Sequence, residues 1–418
     1  KKKILTLSDH PLSPSGVGSQ TKYVIEALLK TGRYSVVSLG GAMKHENYQP
    51  ISVQPFGEDW KIIPVDGYGT QEMIRSIIRT EKIDSVWIMT DPRFWGWLWA
   101  MENEIRPLCP IVYYHVWDNY PYPKFNRKFY ISNDHIATIS KLTDDIVKTV
   151  APEVDSTYIP HAVNSDIFKP LNPDQIKKLR NDNLSEIDKE KIIFFWNNRN
   201  ARRKQSGTLI FWFKEWLDKN NLHDKAQLIM HTDPNDMHGQ DLNVILNELN
   251  LLDRQILFSV NKVNPEHLAA LYNMVDCTIN ISDAEGFGLA TLESLSCGTP
   301  IIANLTGGLQ EQVTNGSEWF GVGLKPVSKA VIGSQQVPYI YEDRISKDHF
   351  FSALTKIYYM SLEARRELGM KGRQHVLKNY NFKTFNERWV ALMDDVIERY
   401  GSWEDRKNYN GIYFGEVA

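Results

Sequence analysis

The stretch Ser282–Pro300 reads SDAEGFGLATLESLSCGTP and places two glutamates, Glu285 and Glu293, eight residues apart around a Gly-Phe-Gly turn. The apolar run Cys277 to Ile281 just before it predicts a buried strand, and the small and apolar residues from Leu289 to Ser296 predict a helix after it. Glu285 then belongs to the loop between strand and helix, and Glu293 lies about one turn inside the helix. One carboxylate faces a ligand at the helix mouth and the other lies behind it. Gly286 and Gly288, on either side of Phe287, let the backbone approach a phosphate closely. The N–H groups of Gly288 and Leu289 then point at it with the helix dipole behind them. A ligand carrying both phosphate and hydroxyl groups, as a sugar nucleotide does, suits this arrangement.

Working outward, strands and helices alternate along the chain. In the second half the predicted order is strand Ile192 to Trp196, helix Gly207 to Lys219, strand Gln227 to His231, helix Asp241 to Leu249, strand Ile256 to Ser259 and helix Pro265 to Asn273. The quoted segment and a strand from Pro300 to Ala303 follow. The first half begins strand (Ile4 to Leu7), loop (Ser8 to Gly18), helix (Ser19 to Lys30), strand (Val36 to Leu39), and continues alternating to a strand at Ser156 to Ile159. Alternation of this kind predicts an α/β chain with two Rossmann-like, doubly wound parallel-sheet domains. The polar segment from Pro170 to Lys191 is the expected junction, giving a first domain over 1–170 and a second over 190–381. Three helices are expected near the end, the last from Phe382 to Tyr400. The tail from Gly401 to Ala418, with Trp403, Tyr409, Tyr413 and Phe414, has no evident role.

A chain of 418 residues has room for two cores. Lys plus Arg (48) nearly balances Asp plus Glu (51), so no nucleic-acid partner is expected and any electrostatic partner must be met locally. The three cysteines are odd in number and widely spaced, which favours a reducing, cytoplasmic setting over a disulfide framework. The chain holds no run of eighteen apolar residues and its first residues lack a signal peptide's apolar length.

Several groups carry chemistry. The run Asn198 to Lys204 (NRNARRK) leaves the carboxyl end of a predicted strand, the ligand-binding edge of such sheets, where a pyrophosphate fits; a solvated basic loop is the alternative. In the first half, Ser13-Pro14-Ser15-Gly16-Val17-Gly18 joins strand to helix, and Gly16 and Gly18 could wrap phosphates or an acceptor. A dinucleotide fingerprint would want a third glycine where Thr21 stands, and an acidic residue at the end of the second strand, so nicotinamide binding is disfavoured. The aromatic stretch Tyr113 to Tyr130, with Lys124, Arg127 and Lys128, could stack on an acceptor sugar or make a weak peripheral membrane contact; folding over its own core is the plainer account. Asp-x-Asp ends no apolar strand, so no metal and no other cofactor is expected.

The string EGFGL, a small-residue helix and CGTPIIA, in this order, resembles the E-x7-E signature of retaining glycosyltransferases of family 4 (glycosyl transferases group 1). The resemblance implies the GT-B architecture, with the two domains facing a central cleft and the C-terminal helix crossing back to the first. It implies that Glu285 hydrogen-bonds the transferred sugar, that Glu293 takes the ribose hydroxyls, and that Arg199 and Lys204, five residues apart, stabilise the departing nucleotide diphosphate. The glycine usual after that lysine is Gln205 here. Gly307 and Gly308, in TGGLQE, resemble the family's turn near the donor, the alternative being a plain turn into a helix. His115 resembles the histidine near the transferred sugar, with a core or supporting histidine as the alternative. His161, in the segment before the interdomain Phe-x-Pro, reads as a structural hinge residue. The implied reaction moves a hexose-type sugar from a nucleotide-diphosphate sugar, GDP-mannose slightly ahead of UDP-sugars, to a saccharide, lipid-linked or other hydroxyl acceptor. A sugar-nucleotide epimerase, a phosphorylase and a non-catalytic sugar-nucleotide sensor are the competing readings.

Overall fold

A computed structural model describes residues 1–251, 255–409 and 411. The chain divides into two compact units. One comprises Lys1–Ala162, Ser334–Pro338 and the described residues from Phe382 onward; the other comprises Val163–Gly333 and Tyr339–Asn381.

Among the described residues, the first unit holds strands β1 (Lys2–Asp9), β2 (Tyr34–Gly41), β3 (Ile51–Val53), β4 (Gly57–Pro64), β5 (Ser85–Met89), β6 (Ile111–His115), β7 (His135–Thr138) and β8 (Asp155–Tyr158). They form one sheet in the order β3-β4-β2-β1-β5-β6-β7-β8, parallel throughout except for β3 against β4. The central strands are apolar on both faces: every residue of β5 and β6 is buried. Helices cover both sides of such a sheet, which is why these strands show continuous apolar runs rather than alternation. Helix Phe382–Tyr400 belongs to this unit and buries Phe385, Trp389, Leu392, Met393 and Val396 along one stripe. Trp389 packs edge-on against Trp87 and Tyr114, at 5.8 and 4.8 Å between ring centroids.

In the second unit, β9 (Ile192–Asn197), β10 (Ala226–His231), β11 (Ile256–Ser259), β12 (Cys277–Asn280), β13 (Ile301–Asn304) and β14 (Gly321–Leu324) form a parallel sheet in the order β11-β10-β9-β12-β13-β14. A separate antiparallel hairpin, β15 (Ser328–Ile332) and β16 (Ile340–Arg344), was not expected from the sequence.

The polar segment Pro170 to Lys191 is not the junction between the units, which falls at Ala162 and Val163. It holds a helix, Pro173–Asn183, that buries no side chain and therefore looks like linker in composition. Hydrogen bonds tie it to the second unit instead. Arg180 pairs with Asp276 at 2.7 Å and donates to the Met274 carbonyl, while Asn273 holds the Leu171 N–H and the Lys169 carbonyl. The tail residues that are described dock on the first unit: Arg406 pairs with Asp134 at 2.7 Å, and the Tyr409 ring lies under Arg106 and Arg406. Tyr413 and Phe414 lie outside the described residues. Among the described residues no helix is long and apolar enough to cross a membrane, and the three cysteines are buried and free of disulfides.

Trp389 is fully buried, so Trp389→Ala is expected to lower stability by about 3–5 kcal/mol. Chemical denaturation followed by fluorescence reads this directly.

Candidate active site

β9 and β12 are neighbours, yet the chain leaves β9 toward β10 on one side and β12 toward β13 on the other. The carboxyl ends of two such strands flank the crevice where doubly wound sheets bind ligands. After β9 the basic run makes one 3-10 turn, Arg202–Lys204, and Gln205 follows at φ +60°. That left-handed conformation costs a side-chain-bearing residue about 1–2 kcal/mol. Two side-chain hydrogen bonds offset it: Gln205 donates to Asp283 at 2.6 Å and accepts from Thr208 at 2.6 Å. The loop thus keeps the turn that glycine would make easily, and it aims Lys204 inward.

Lys204 is buried and its ammonium donates to Glu285, itself buried, in the loop after β12. Asn280 and Ser282 also donate to that carboxylate, at 3.2 and 3.3 Å, and the Arg203 guanidinium stands 3.9 Å from its other oxygen. Burial alone would push the Glu285 carboxyl up. The charges of Lys204 and Arg203 and the hydrogen bonds from Lys204 and Asn280 outweigh it and hold the group at about 2. Glu285 is therefore an anion and a strong acceptor for hydroxyl groups.

Gly288 caps helix Leu289–Ser296 at φ +89°, where a side chain would also meet Leu309 at 2.6 Å. Gly307 and Gly308 dock on this loop: the Gly308 N–H donates to the Glu285 carbonyl at 3.1 Å, and a Cβ on Gly308 would lie 2.6 Å from the Phe287 Cα. Gln312 donates to the Phe287 and Gly288 carbonyls, so Gly286, Phe287, Gly288 and Leu289 are held from behind. Hairpin residue Glu342, almost fully buried, receives Arg202 at 2.6 Å and Arg344 at 3.0 Å, which ties the basic loop to β16. Glu293 accepts from the Tyr272 hydroxyl at 2.8 Å, and among the described residues no cation pairs with it. Burial pushes its carboxyl up to about 7, with the Tyr272 hydrogen bond pulling the other way.

Lys204, Glu285, Gly286–Leu289, Gly307 and Gly308 are thus brought together, with Glu293 on the helix behind. Arg199 is not with them. It is exposed and paired with Asp236 at 2.6 Å and with His238; the arginine beside Glu285 is Arg203, which spacing alone did not select. Asn280, Ser282 and Glu342 were also missed, because nothing local marks a polar residue that a distant loop will touch.

In the first unit two expectations are corrected. Gly16 and Gly18 are not loop residues: the helix begins at Gly16, capped by Ser15, whose hydroxyl accepts from the Gly18 N–H. Gly18 is small because a Cβ there would lie 2.4 Å from the Ser13 hydroxyl and 2.6 Å from the His10 carbonyl. His115 is fully buried and both its ring nitrogens are engaged, by the Tyr113 and Tyr130 hydroxyls at 2.9 and 2.7 Å. Burial pulls it down to about 3, so it is a neutral core histidine rather than one presented to a sugar. His161 is likewise buried, against the Tyr114 hydroxyl. The aromatic stretch folds over its own unit: Tyr120 and Tyr122 donate to Asp145, Phe129 stacks on Trp99, and Arg127 pairs with Glu153.

Residues 177–333 match the family model described as Glycosyl transferases group 1. A trehalose synthase of Pyrococcus horikoshii is 24% identical over 144 residues, 34% of this chain and 29% of that protein. A D-inositol 3-phosphate glycosyltransferase of Streptosporangium roseum is 47% identical over 53 residues, 12% of each. The chain therefore spans less than a third of the length of these curated relatives. Among solved structures, a sucrose-phosphate synthase from Thermosynechococcus elongatus superposes with a TM-score of 0.72 at 18% identity, over 95% of this chain and 100% of that one. HepE of Anabaena, in complex with UDP-glucose, gives 0.69 at 14% identity, over 94% and 100%. Likeness along nearly the whole chain shows the fold, two Rossmann-like domains of GT-B type.

Two stability measurements check the electrostatics. Lys204→Met leaves a buried carboxylate unpaired and is expected to cost about 3–5 kcal/mol, whereas Lys204→Met with Glu285→Gln costs less than the sum of the single changes. Glu293 has a folded value above its ordinary 4.5, so the stability it contributes is complete below pH 4.5 and is lost as pH rises through about 7. Glu293→Gln should therefore match wild type near pH 4 and exceed it at pH 8 by on the order of 1–3 kcal/mol, read from melting curves across that range.

Proposed function

From the match of residues 177–333 to the glycosyl transferases group 1 model, we propose that this chain is a glycosyltransferase of that family and moves a hexose-type sugar from a nucleotide-diphosphate donor to a hydroxyl acceptor with retention of anomeric configuration. The observation that carries this reading is the buried Lys204–Glu285 pair, flanked by Arg203, at the open end of β9 and β12 beside the mouth of helix Leu289–Ser296.

Donor phosphates lie against Lys204, Arg203 and the N–H groups of Gly288 and Leu289. Glu285, kept ionised, accepts hydrogen bonds from the transferred sugar, and Glu293 accepts them from the ribose. As the bond between the anomeric carbon and the phosphate oxygen breaks, negative charge grows on the leaving diphosphate. Fixed positive charge already in place is then worth more in the transition state than in the ground state. The acceptor oxygen bonds to the anomeric carbon on the same face, and its proton passes to the phosphate oxygen that leaves. No protein base is required, and no step uses a divalent cation.

UDP-glucose stands in complex with the Anabaena structure, so it joins GDP-mannose as a first donor to try. A thermal-shift panel of UDP, GDP and ADP with their sugar conjugates should show one clear stabilisation, about 2.7 kcal/mol at a hundredfold excess over Kd. With that donor, Glu285→Gln and Lys204→Ala are each expected to lower kcat roughly a hundredfold or more, and transfer should persist in EDTA. Changes within twofold in folded variants would remove these roles.

A further inference from the structure

Hairpin strand β16 carries a charge at its most buried position. Its residues run Ile340-Tyr341-Glu342-Asp343-Arg344, and of these Glu342 alone is buried, at 1% exposure. A two-stranded hairpin is marginal by itself and needs an anchor. An apolar side chain would serve, because replacing a buried ion pair by well-packed apolar groups is often neutral or stabilising. What the carboxylate adds is direction. Arg202 meets it as a fork, at 2.6 Å to Oε1 and 3.1 Å to Oε2, and a bidentate pair fixes the orientation of the guanidinium as well as its place.

Strand β16 joins the loop that carries Glu285 to the loop that carries Lys204. The Asp343 N–H donates to the Asp283 carbonyl at 2.9 Å, and the Asn304 amide donates to the carbonyls of Ser282 and Asp343 at 2.8 and 3.0 Å. The strand is thus fastened through main chain to the Glu285 loop. Glu342, one residue before Asp343, reaches the other loop through Arg202. The 3-10 turn Arg202–Lys204 is gripped at both ends, because Asp283 takes the Gln205 amide at 2.6 Å directly after it. Lys204 lies between the two grips and points at Glu285.

On the donor-site reading, we infer that Glu342 is a positioning residue for sugar transfer: its grip on Arg202 sets the turn that aims Lys204, so hairpin β15–β16 acts on the reaction. Lys204 meets charge that grows as the diphosphate departs, and a shift of about 1 Å in such a group costs up to roughly a hundredfold in rate. The Asp283 N–H also holds the Arg203 carbonyl, at 2.9 Å, so losing one grip loosens the turn without freeing it. The effect falls on kcat more than on KM, because the contact gains its strength in the transition state.

Arg202→Met removes the grip at an exposed side chain and leaves Glu342 paired with Arg344, whereas Arg202→Lys keeps the charge without the fork. Hydrolysis of UDP-glucose and of GDP-mannose, followed as nucleotide release, should lose about tenfold in kcat in Arg202→Met and Glu342→Gln, with KM within about threefold and Arg202→Lys in between. Urea denaturation checks the coupling without turnover. Arg202 and Lys204 carry like charge, so their repulsion alone would make Lys204→Met more costly once Arg202 is gone. A grip that aims Lys204 predicts the opposite: in the Arg202→Met background the cost of Lys204→Met falls to about half or less. A cost that is unchanged or larger there overturns the inference, and the grip then holds only the hairpin. So does hydrolysis by Arg202→Met and Glu342→Gln within about twofold of wild type while Lys204→Ala loses activity; both results leave the donor site standing. Lys204→Ala hydrolysing at the wild-type rate overturns the donor-site reading itself. If wild type hydrolyses neither donor, the urea cycle alone decides.

Discussion

Everything at the candidate site depends on a buried ion pair. Lys204 and Glu285 come from loops 81 residues apart, and taking both charges out of water is costly unless each is matched and hydrogen-bonded. The surroundings supply that match. Asn280 and Ser282 donate to the carboxylate and Arg203 adds a second positive charge. The backbone that brings the partners together is itself constrained: Gln205 holds a left-handed turn by its side chain, Gly288 holds another for want of one, and Glu342 fastens the basic loop from the hairpin. The pair is thus the meeting point of β9, β12 and β16 rather than a property of any one segment.

The two glutamates of the E-x7-E spacing live in opposite electrostatic settings. Glu285 sits among cations and stays ionised, whereas Glu293 accepts from the Tyr272 hydroxyl and burial pushes its carboxyl up. A ligand that donates hydroxyl groups to Glu293 favours its ionised form, so occupancy of the crevice and the charge of that residue are linked. Tyr272 serves both sides of this arrangement, since it packs on Phe195 below and bonds Asn197 and Glu293 above.

Much of the architecture was legible in the chain. Strand β11 and helices Leu289–Ser296 and Phe382–Tyr400 fall at the residues that pattern predicts, because buried parallel strands and amphipathic helices write their periods directly into the sequence. Elements held by polar contacts were not legible. Helix Pro173–Asn183 buries nothing and is fixed by Arg180, and the β15–β16 hairpin is anchored through Glu342 and Arg344. At the candidate site, the glutamates, the glycines and Lys204 were picked out by their setting between strand and helix. Arg199 was picked out in the same way, and its pairing with Asp236 holds it apart from Glu285; Gly16 and Gly18 begin a helix, and His115 is sealed in the core of its own unit.

The sequence by itself determined the two parallel-sheet domains, the strand-to-helix loops that end at one sheet edge, and the left-handed glycine at Gly288. These follow from apolar period and backbone sterics, which act over a few residues. Only the tertiary structure decided which arginine stands beside Glu285, which histidine is sealed in the core, and which carboxylate keeps its charge. Those outcomes turn on burial and on partners distant in the chain, and both exist only once the loops have met.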